Sequence, residues 1–229
     1  VRICDYHKPK VIFCENVKGL TIHDKGNTFK VIKGAFEEIG YKVFTQILNS
    51  KNFGVPQNRE RIYLVCFRND IAPESFTFPK GSECTVTIAD ILDPAPVPSK
   101  YYLSDTYVAT LEAHKARHAS KGNGFGYVIR PLDGIAGTIV CGGMGREGNL
   151  IQDHREHSMV PTTHIKGEIN KQDIRKMTPK EWARLQGFPE TFVLPLSDVH
   201  LYKQFGNSVT VNVIEAIAKE IKKHLYGRK

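Results

Sequence analysis

The stretch that most constrains the fold is Lys10-Val11-Ile12-Phe13-Cys14-Glu15-Asn16-Val17: four apolar residues in a row, then a carboxylate and an amide. An uninterrupted apolar run of this length reads as a strand buried on both faces, as in a parallel sheet. Open α/β sheets bind ligands beyond the carboxyl ends of their strands, and Glu15 and Asn16 fall at that end. The chain thus carries an acid out of a dry core to a mouth. The plainer alternative is a solvated carboxylate at a strand end.

The next residues supply the rest of a sheet. Asn27 or Thr28 is placed to cap a helix whose apolar positions Phe29, Ile32, Ala35, Phe36 and Ile39 form one stripe, with Gly40 closing it. Residues 41–48 alternate in strand fashion and residues 61–67 read as another buried strand, separated by a loop holding Gly54, Pro56, Gln57, Asn58 and Arg59. Strand, helix, strand, loop, strand predicts an α/β sheet. Residues 1–6 read as the tail of a helix entered midway, with an upstream part expected to be missing.

From residue 71 the character changes. Pro73, Pro79, Pro94, Pro96 and Pro98 cluster, and no long helical stripe is read before Met177. This predicts a second, irregular β-rich domain beginning near residues 69–73. Within it, residues 109–120 read as a short polar helix with two histidines, and residues 137–141 as a strand leading into a glycine-rich loop over 142–149. Thr178-Pro179-Lys180-Glu181 is a capping box with Pro at N1, starting a helix to about Gln186. Gly206-Asn207-Ser208 is expected to open a final helix with Val213, Ile214, Ile217, Ile221 and Leu225 on one face.

Charge and cysteines narrow the classes. A net charge of +8 favours a polyanionic partner, nucleic acid before membrane. Five unevenly spaced cysteines with no CxxC pair argue against a zinc ribbon or redox motif and fit a reduced, cytoplasmic setting. His154 and His157 lack further ligands at metal spacing, so no metal is expected. No run reaches membrane-spanning length, and no membrane partner is expected.

Three stretches carry a resemblance: Glu15-Asn16-Val17 after a strand, Gln57-Asn58-Arg59-Glu60-Arg61 before a strand, and Gln204-Phe205-Gly206-Asn207-Ser208-Val209. With Arg184-Leu185-Gln186-Gly187-Phe188-Pro189, in this order and around a variable glycine-rich region, they resemble the DNA (cytosine-5) methyltransferase family over nearly the whole chain. The family also has an upstream half with a glycine-rich methyl-donor loop and a Pro-Cys turn holding a nucleophilic thiolate. None of the five cysteines here adjoins a proline, so no nucleophile is assigned. A missing N-terminal half or a separate subunit would carry that cysteine.

The resemblance implies part of a Rossmann-like, S-adenosylmethionine-dependent methyltransferase sheet with an inserted, irregular β-rich target-recognition domain. It divides the chain into residues 1–72 (catalytic), 73–188 (target recognition), 189–205 (hinge) and 206–229 (final helix). Carbon 5 of cytosine is a poor nucleophile until a thiolate adds at C6, and a positioned acid at N3 relieves the charge that builds on the ring. By resemblance Glu15 is that acid, Asn16 shapes the pocket, Val17 packs, and Arg61, with Arg59, faces the cytosine carbonyl. Asn207, Ser208 and Val209 are the cofactor candidates. Arg175, Thr178, Glu181 and Arg184 read as scaffold, with an i,i+3 ion pair. Thr138, Gly142, Gly143 and Arg146 are the candidates for reading double-stranded DNA, with Arg146 on a guanine. The implied activity is methylation of a flipped cytosine in a bacterial restriction–modification system. A non-catalytic DNA-recognition subunit and a tRNA cytosine-5 methyltransferase remain open alternatives.

Overall fold

In the computed structural model, which describes residues 1–142, 145–158 and 167–227, strand β4 (Glu60–Arg68) is the axis of the first half of the fold. The chain divides into two compact units, one of Val1–Phe53, Arg59–Glu83 and Asn212–Lys229 and the other of Gly54–Asn58 and Cys84–Val211. In the first unit β4 lies between β1 (Val11–Val17) and β2 (Tyr41–Asn49), antiparallel to both. β1 and β2 therefore run the same way, joined by a crossover through α2 (Asn27–Glu38).

Period-two alternation in β4 builds two cores. Ile62, Leu64 and Cys66 face Ile12, Phe36 and Tyr41, with Phe29 and Ile32 of α2 beside them. Tyr63, Val65 and Phe67 face the other way, onto Phe76, Phe78, and Val213 and Ile217 of α6 (Val211–Tyr226). Helices thus cover both faces of the sheet. The α/β reading holds, a short helix α1 (Arg2–His7) precedes β1, and Gly40 closes α2 at φ 94°.

Two expectations are corrected. β1 is not buried on both faces: only Ile12 is buried there, and β4 is the through-buried strand. Nor is its pairing parallel. A strand becomes dry on both sides only when flanked on both edges, and β4 has that place because the return from β2 inserts it between β2 and β1.

The second unit is built from short strands. β6 (Ile129–Arg130), β8 (Leu150–Gln152) and β10 (Ile174–Lys176) form one sheet; β3 (Gln57–Asn58) pairs with β7 (Ala136–Gly137), and β5 (Val97–Pro98) with β9 (His157–Ser158). Its core packs Ile88, Ile139, Ile151, Met177, Trp182 and Leu185 against Leu201, Tyr202 and Phe205. α3 (Asp105–Ala119) is longer than expected, at 15 residues. The predicted strand over 137–141 is reduced to Gly137 at the end of β7. α4 (Pro179–Leu185) has the full capping box, with Gly187 at φ 73° beyond it.

Candidate active site

The β1–β4 register sets Glu15 opposite Tyr63 and Val17 opposite Arg61, so the acid and the arginine reach one end of the sheet from adjacent strands. Arg61 Nε lies 2.9 Å from Glu15 Oε1, with both side chains largely shielded. That carboxylate oxygen is buried, yet among the described residues no directed hydrogen bond reaches it. Its contact with the arginine is an ion pair. Arg61 also donates through Nη1 to the carbonyl of Glu60, at 2.9 Å, which fixes the plane of its guanidinium.

Arg59, 3% exposed, joins the same cluster. Burial first, and Arg61 second, lower its pKa to about 10, while Glu15 and Tyr63 act in the opposite direction. Tyr63 is pushed up to about 12 by burial and by Glu15. Two guanidiniums facing one carboxylate leave a surplus of positive charge in a poorly hydrated place, which suits an electron-rich carbonyl or a ring gaining negative charge. Glu60 stands outside this cluster, paired with Lys18 at 2.9 Å.

Asn16 is exposed, and its Oδ1 accepts from the backbone N–H of Val17 at 2.8 Å, a local contact near the end of β1. Val17 is 52% exposed, so the expectation that it packs is corrected: the alternation that buries Ile12 has run past the core.

In the second unit the cofactor candidates occupy a different local structure from the one expected. Gly206 and Asn207 end α5 (Asp198–Asn207), Ser208 is its C-cap, and α6 starts only at Val211. Asn207 and Ser208 therefore do not offer helix N-terminal amides. The reason is packing: Leu201, Tyr202 and Phe205 are buried, which holds the segment before Asn207 in a helix of its own. Gly206 meets the Val140–Cys141 backbone so closely that an added Cβ would lie 2.4 Å from the Cys141 nitrogen. Gln186 anchors the end of α5 and the turn beyond it, donating to the carbonyls of Phe205 (2.9 Å) and Ser208 (3.3 Å) and accepting from Thr210 (2.8 Å). His200, Lys203, Gln204, Asn207 and Ser208 line an open cleft of about 400 Å³. An ammonium from Lys203, side-chain amides and the carbonyl end of a helix together match a zwitterionic amino-acid group, its carboxylate on the cation and its ammonium at the helix end. Val209 is half-buried beside it.

Of the recognition candidates, Thr138 is used internally, its Oγ1 donating to the Asn58 carbonyl at 2.8 Å. At Gly142 an added Cβ would meet nothing within 4 Å, Gly143 falls outside the described residues, and the Arg146 guanidinium sits 5.5 Å over the Tyr202 ring. Gln57, fully buried, donates to the Leu185 carbonyl (2.8 Å) and accepts from the Ile139 N–H (3.1 Å), tying its loop to this region.

Arg175, Asp153 and Glu181 are buried without exposure. Arg175 donates Nη1 and Nη2 to the two Glu181 oxygens (2.8 and 2.7 Å) and Nε to Asp153 (2.8 Å). Glu181 also accepts from the backbone of Thr178 (2.7 Å) and Asp93 (2.9 Å). The expected i,i+3 pair is corrected: Arg184 binds Asp93 and Glu190, leaving Glu181 to Arg175. Burial disfavours the Asp153 charge, but hydrogen bonds from Arg155 and Arg175 overcome it and hold its carboxyl below the usual range. Asp153 escaped the sequence reading; its signal is a carboxylate directly after the apolar pair Leu150-Ile151 and Gln152. Tyr63 escaped it too, hidden inside an apolar run.

The C-5 cytosine-specific DNA methylase family matches residues 1–223. Type II methyltransferase M.HpaII of Haemophilus parainfluenzae is 58% identical over 217 residues, covering 94% of this chain and 61% of that protein. M.HhaI of Haemophilus parahaemolyticus is 33% identical, covering 96% of this chain and 65% of that protein. Among solved structures, S. pombe Dnmt2 methyltransferase shares the fold with a TM-score of 0.68 at 21% identity, over 95% of this chain and 68% of that one. The chain spans less than two thirds of the length of these two curated relatives. With the family matched from the first residue to residue 223 and the Glu15–Arg61 pair in place, the chain belongs to the C-5 cytosine-specific DNA methylases.

Proposed function

We propose that this chain is the greater part of a DNA (cytosine-5) methyltransferase of a bacterial restriction–modification system, acting in the cytoplasm on a flipped cytosine in a specific duplex sequence. The observation that carries this reading is the Glu15–Arg61 pair, 2.9 Å apart at the end of a buried sheet, with Arg59 adding a second positive charge. Arg61 turns its fork to the cytosine carbonyl oxygen, and Glu15 shares a proton with N3 as C5 becomes nucleophilic. Arg59 keeps the local potential positive while the ring carries negative charge, and Asn16 shapes the pocket mouth. S-adenosylmethionine supplies the electrophilic methyl group, its amino-acid end held by Asn207 and Ser208 beside Val209, with Lys203 as a further contact. The loop carrying Thr138, Gly142, Gly143 and Arg146 reads the target. Residues 1–72 together with residues 206–229 form the catalytic part, and residues 73–188 carry target recognition. Activity requires a thiolate and a donor loop from an N-terminal part or a separate subunit, because no cysteine of this chain follows a proline.

The test is methyl transfer from labelled S-adenosylmethionine by the protein containing this chain, offered duplex DNA and tRNA separately. The expected product is 5-methylcytosine in DNA at one sequence. Label in tRNA alone would replace this reading with an RNA methylase, and DNA binding without label in any combination of subunits would replace it with a recognition protein.

A further inference from the structure

Glu147 is a carboxylate in a place with little water. It is 4% exposed and directly follows Arg146, and neither the catalytic cluster nor the cofactor cleft uses it. Burying a charge is expensive unless it is paired and hydrogen-bonded, and apolar residues of similar volume often fill such a place without loss of stability. Packing alone therefore does not call for a carboxylate here.

Its partners come from two other elements. Tyr107 of α3 donates its hydroxyl to Glu147 Oε1 at 3.0 Å, and Lys176 Nζ of β10 lies 3.4 Å from the same oxygen. The Lys176 ammonium also stands 5.1 Å over the Tyr107 ring, so the three side chains close on one another. Tyr107 belongs to the first half of α3, beside Val108 and Leu111, the two residues of that helix that are buried; the others are partly or wholly exposed. Burial is the main influence lowering the Lys176 pKa; Glu147 opposes it and Arg146 adds to it. The carboxylate thus offsets the repulsion between two cations.

The backbone around it is pinned as well. The Glu147 carbonyl accepts from the Val128 N–H at 2.9 Å, the Gly148 carbonyl from Arg130 at 3.1 and 3.2 Å, and Asn149 Oδ1 from the Gly137 N–H at 2.7 Å. Glu147–Asn149 form one 3₁₀ turn, with Arg146 as its N-cap. Successive side chains in such a turn leave the axis about 120° apart, so a Glu147 turned inward directs Arg146 elsewhere. The Arg146 guanidinium rests over the Tyr202 ring, which is itself fixed by a hydrogen bond from its hydroxyl to the Met177 carbonyl. Among the described residues no hydrogen bond or ion pair engages Arg146. Its neighbour Glu147 does not neutralise it, because Tyr107 and Lys176 hold that carboxylate.

We propose that Glu147 is a positioning residue for sequence choice: anchored on Tyr107 and Lys176, it holds the turn so that Arg146 lies on Tyr202 with its N–H groups open to a base edge. This rests on the role of Arg146 in reading DNA proposed above. Glu147 touches no DNA; it acts through Arg146.

The experiment measures kcat/KM for methyl transfer by the complete enzyme, on its target duplex and on duplexes carrying each single base-pair change. The parent is compared with Arg146→Ala, Glu147→Gln and Tyr107→Phe, with urea midpoints alongside. Arg146→Ala lowers discrimination at one base pair by about ten- to a hundredfold. Glu147→Gln keeps the volume and an acceptor for Tyr107 but removes the charge facing Lys176. It lowers discrimination at that same base pair by roughly five- to tenfold. Tyr107→Phe removes one hydrogen bond and lowers it by roughly two- to fivefold. A purely structural Glu147 would instead lower the urea midpoint and slow methylation of all duplexes alike, because a loosened fold prefers no base pair. Uniform loss, loss centred on a different base pair, or unchanged discrimination in Glu147→Gln overturns the proposal; if that variant does not fold, Tyr107→Phe decides by the same criteria. No DNA methylation by the parent, or no response to Arg146→Ala, defeats the function or the reading residue proposed above and this inference with it. A response to Arg146→Ala without one to Glu147→Gln defeats this inference alone.

Discussion

Each unit buries arginine against carboxylate, and the two do it differently. In the second unit Arg175, Asp153 and Glu181 are saturated: every nitrogen of the Arg175 guanidinium has a partner, and the two Glu181 oxygens accept from Arg175 and from the backbone of Thr178 and Asp93. In the first unit Glu15 Oε1 lies 2.9 Å from Arg61 Nε, and the charge of Glu15 also acts on Arg59. A saturated network has nothing left to offer a ligand; its residues are exchangeable only at the cost of folding. The first-unit pair is held by an ion pair rather than by a closed set of hydrogen bonds.

Three measurements break or sharpen that contrast. The largest effect expected is in the first unit: Glu15→Gln in the complete enzyme slows methyl transfer by roughly 10²- to 10⁴-fold while DNA affinity and urea midpoint stay close to the parent. A large fall in stability instead would make Glu15 a structural residue. Next is Arg175→Met, which strands Glu181 and half-strands Asp153 and lowers the unfolding free energy of the chain by about 3–5 kcal/mol. Urea denaturation followed by circular dichroism reads it, and a loss below about 1 kcal/mol would mean that the network is not what holds α4 and β10 together.

The smallest effect is in pH. Asp153 titrates below its ordinary range when folded, so the unfolded chain takes up its proton first. Its contribution is present at neutral pH and is lost progressively as pH falls below about 4, the unfolded carboxyl value. Urea midpoints between pH 7 and pH 3 should fall less steeply in Arg175→Met than in the parent, because part of what holds the Asp153 proton off is gone. Parallel curves would assign acid sensitivity to other carboxylates.

Much of this was legible along the chain because it is local. The capping box at Thr178 and Glu181, the stripe of α2, and the apolar run of residues 61–67 are all read from neighbouring positions. Glu15 and Arg61 were singled out by motif, and folding brings them within 2.9 Å. Asn207 misled for an equally local reason: Gly-Asn-Ser looks like a helix start, and only the buried Tyr202 and Phe205 reveal that the preceding residues are already helical. Glu181 misled because Arg184 lies three residues away on the same helix, while its real partner, Arg175, reaches it from β10.

The sequence by itself determined the family, the strand–helix–strand order and the candidate site residues, since periodicity and motif are written in neighbouring positions. Tertiary structure decided that β4 rather than β1 lies at the centre, that the pairing is antiparallel, which carboxylate each arginine takes, and that α3 stands half in solvent. Those outcomes depend on which distant surfaces can be dried together at once, and no local spacing records that.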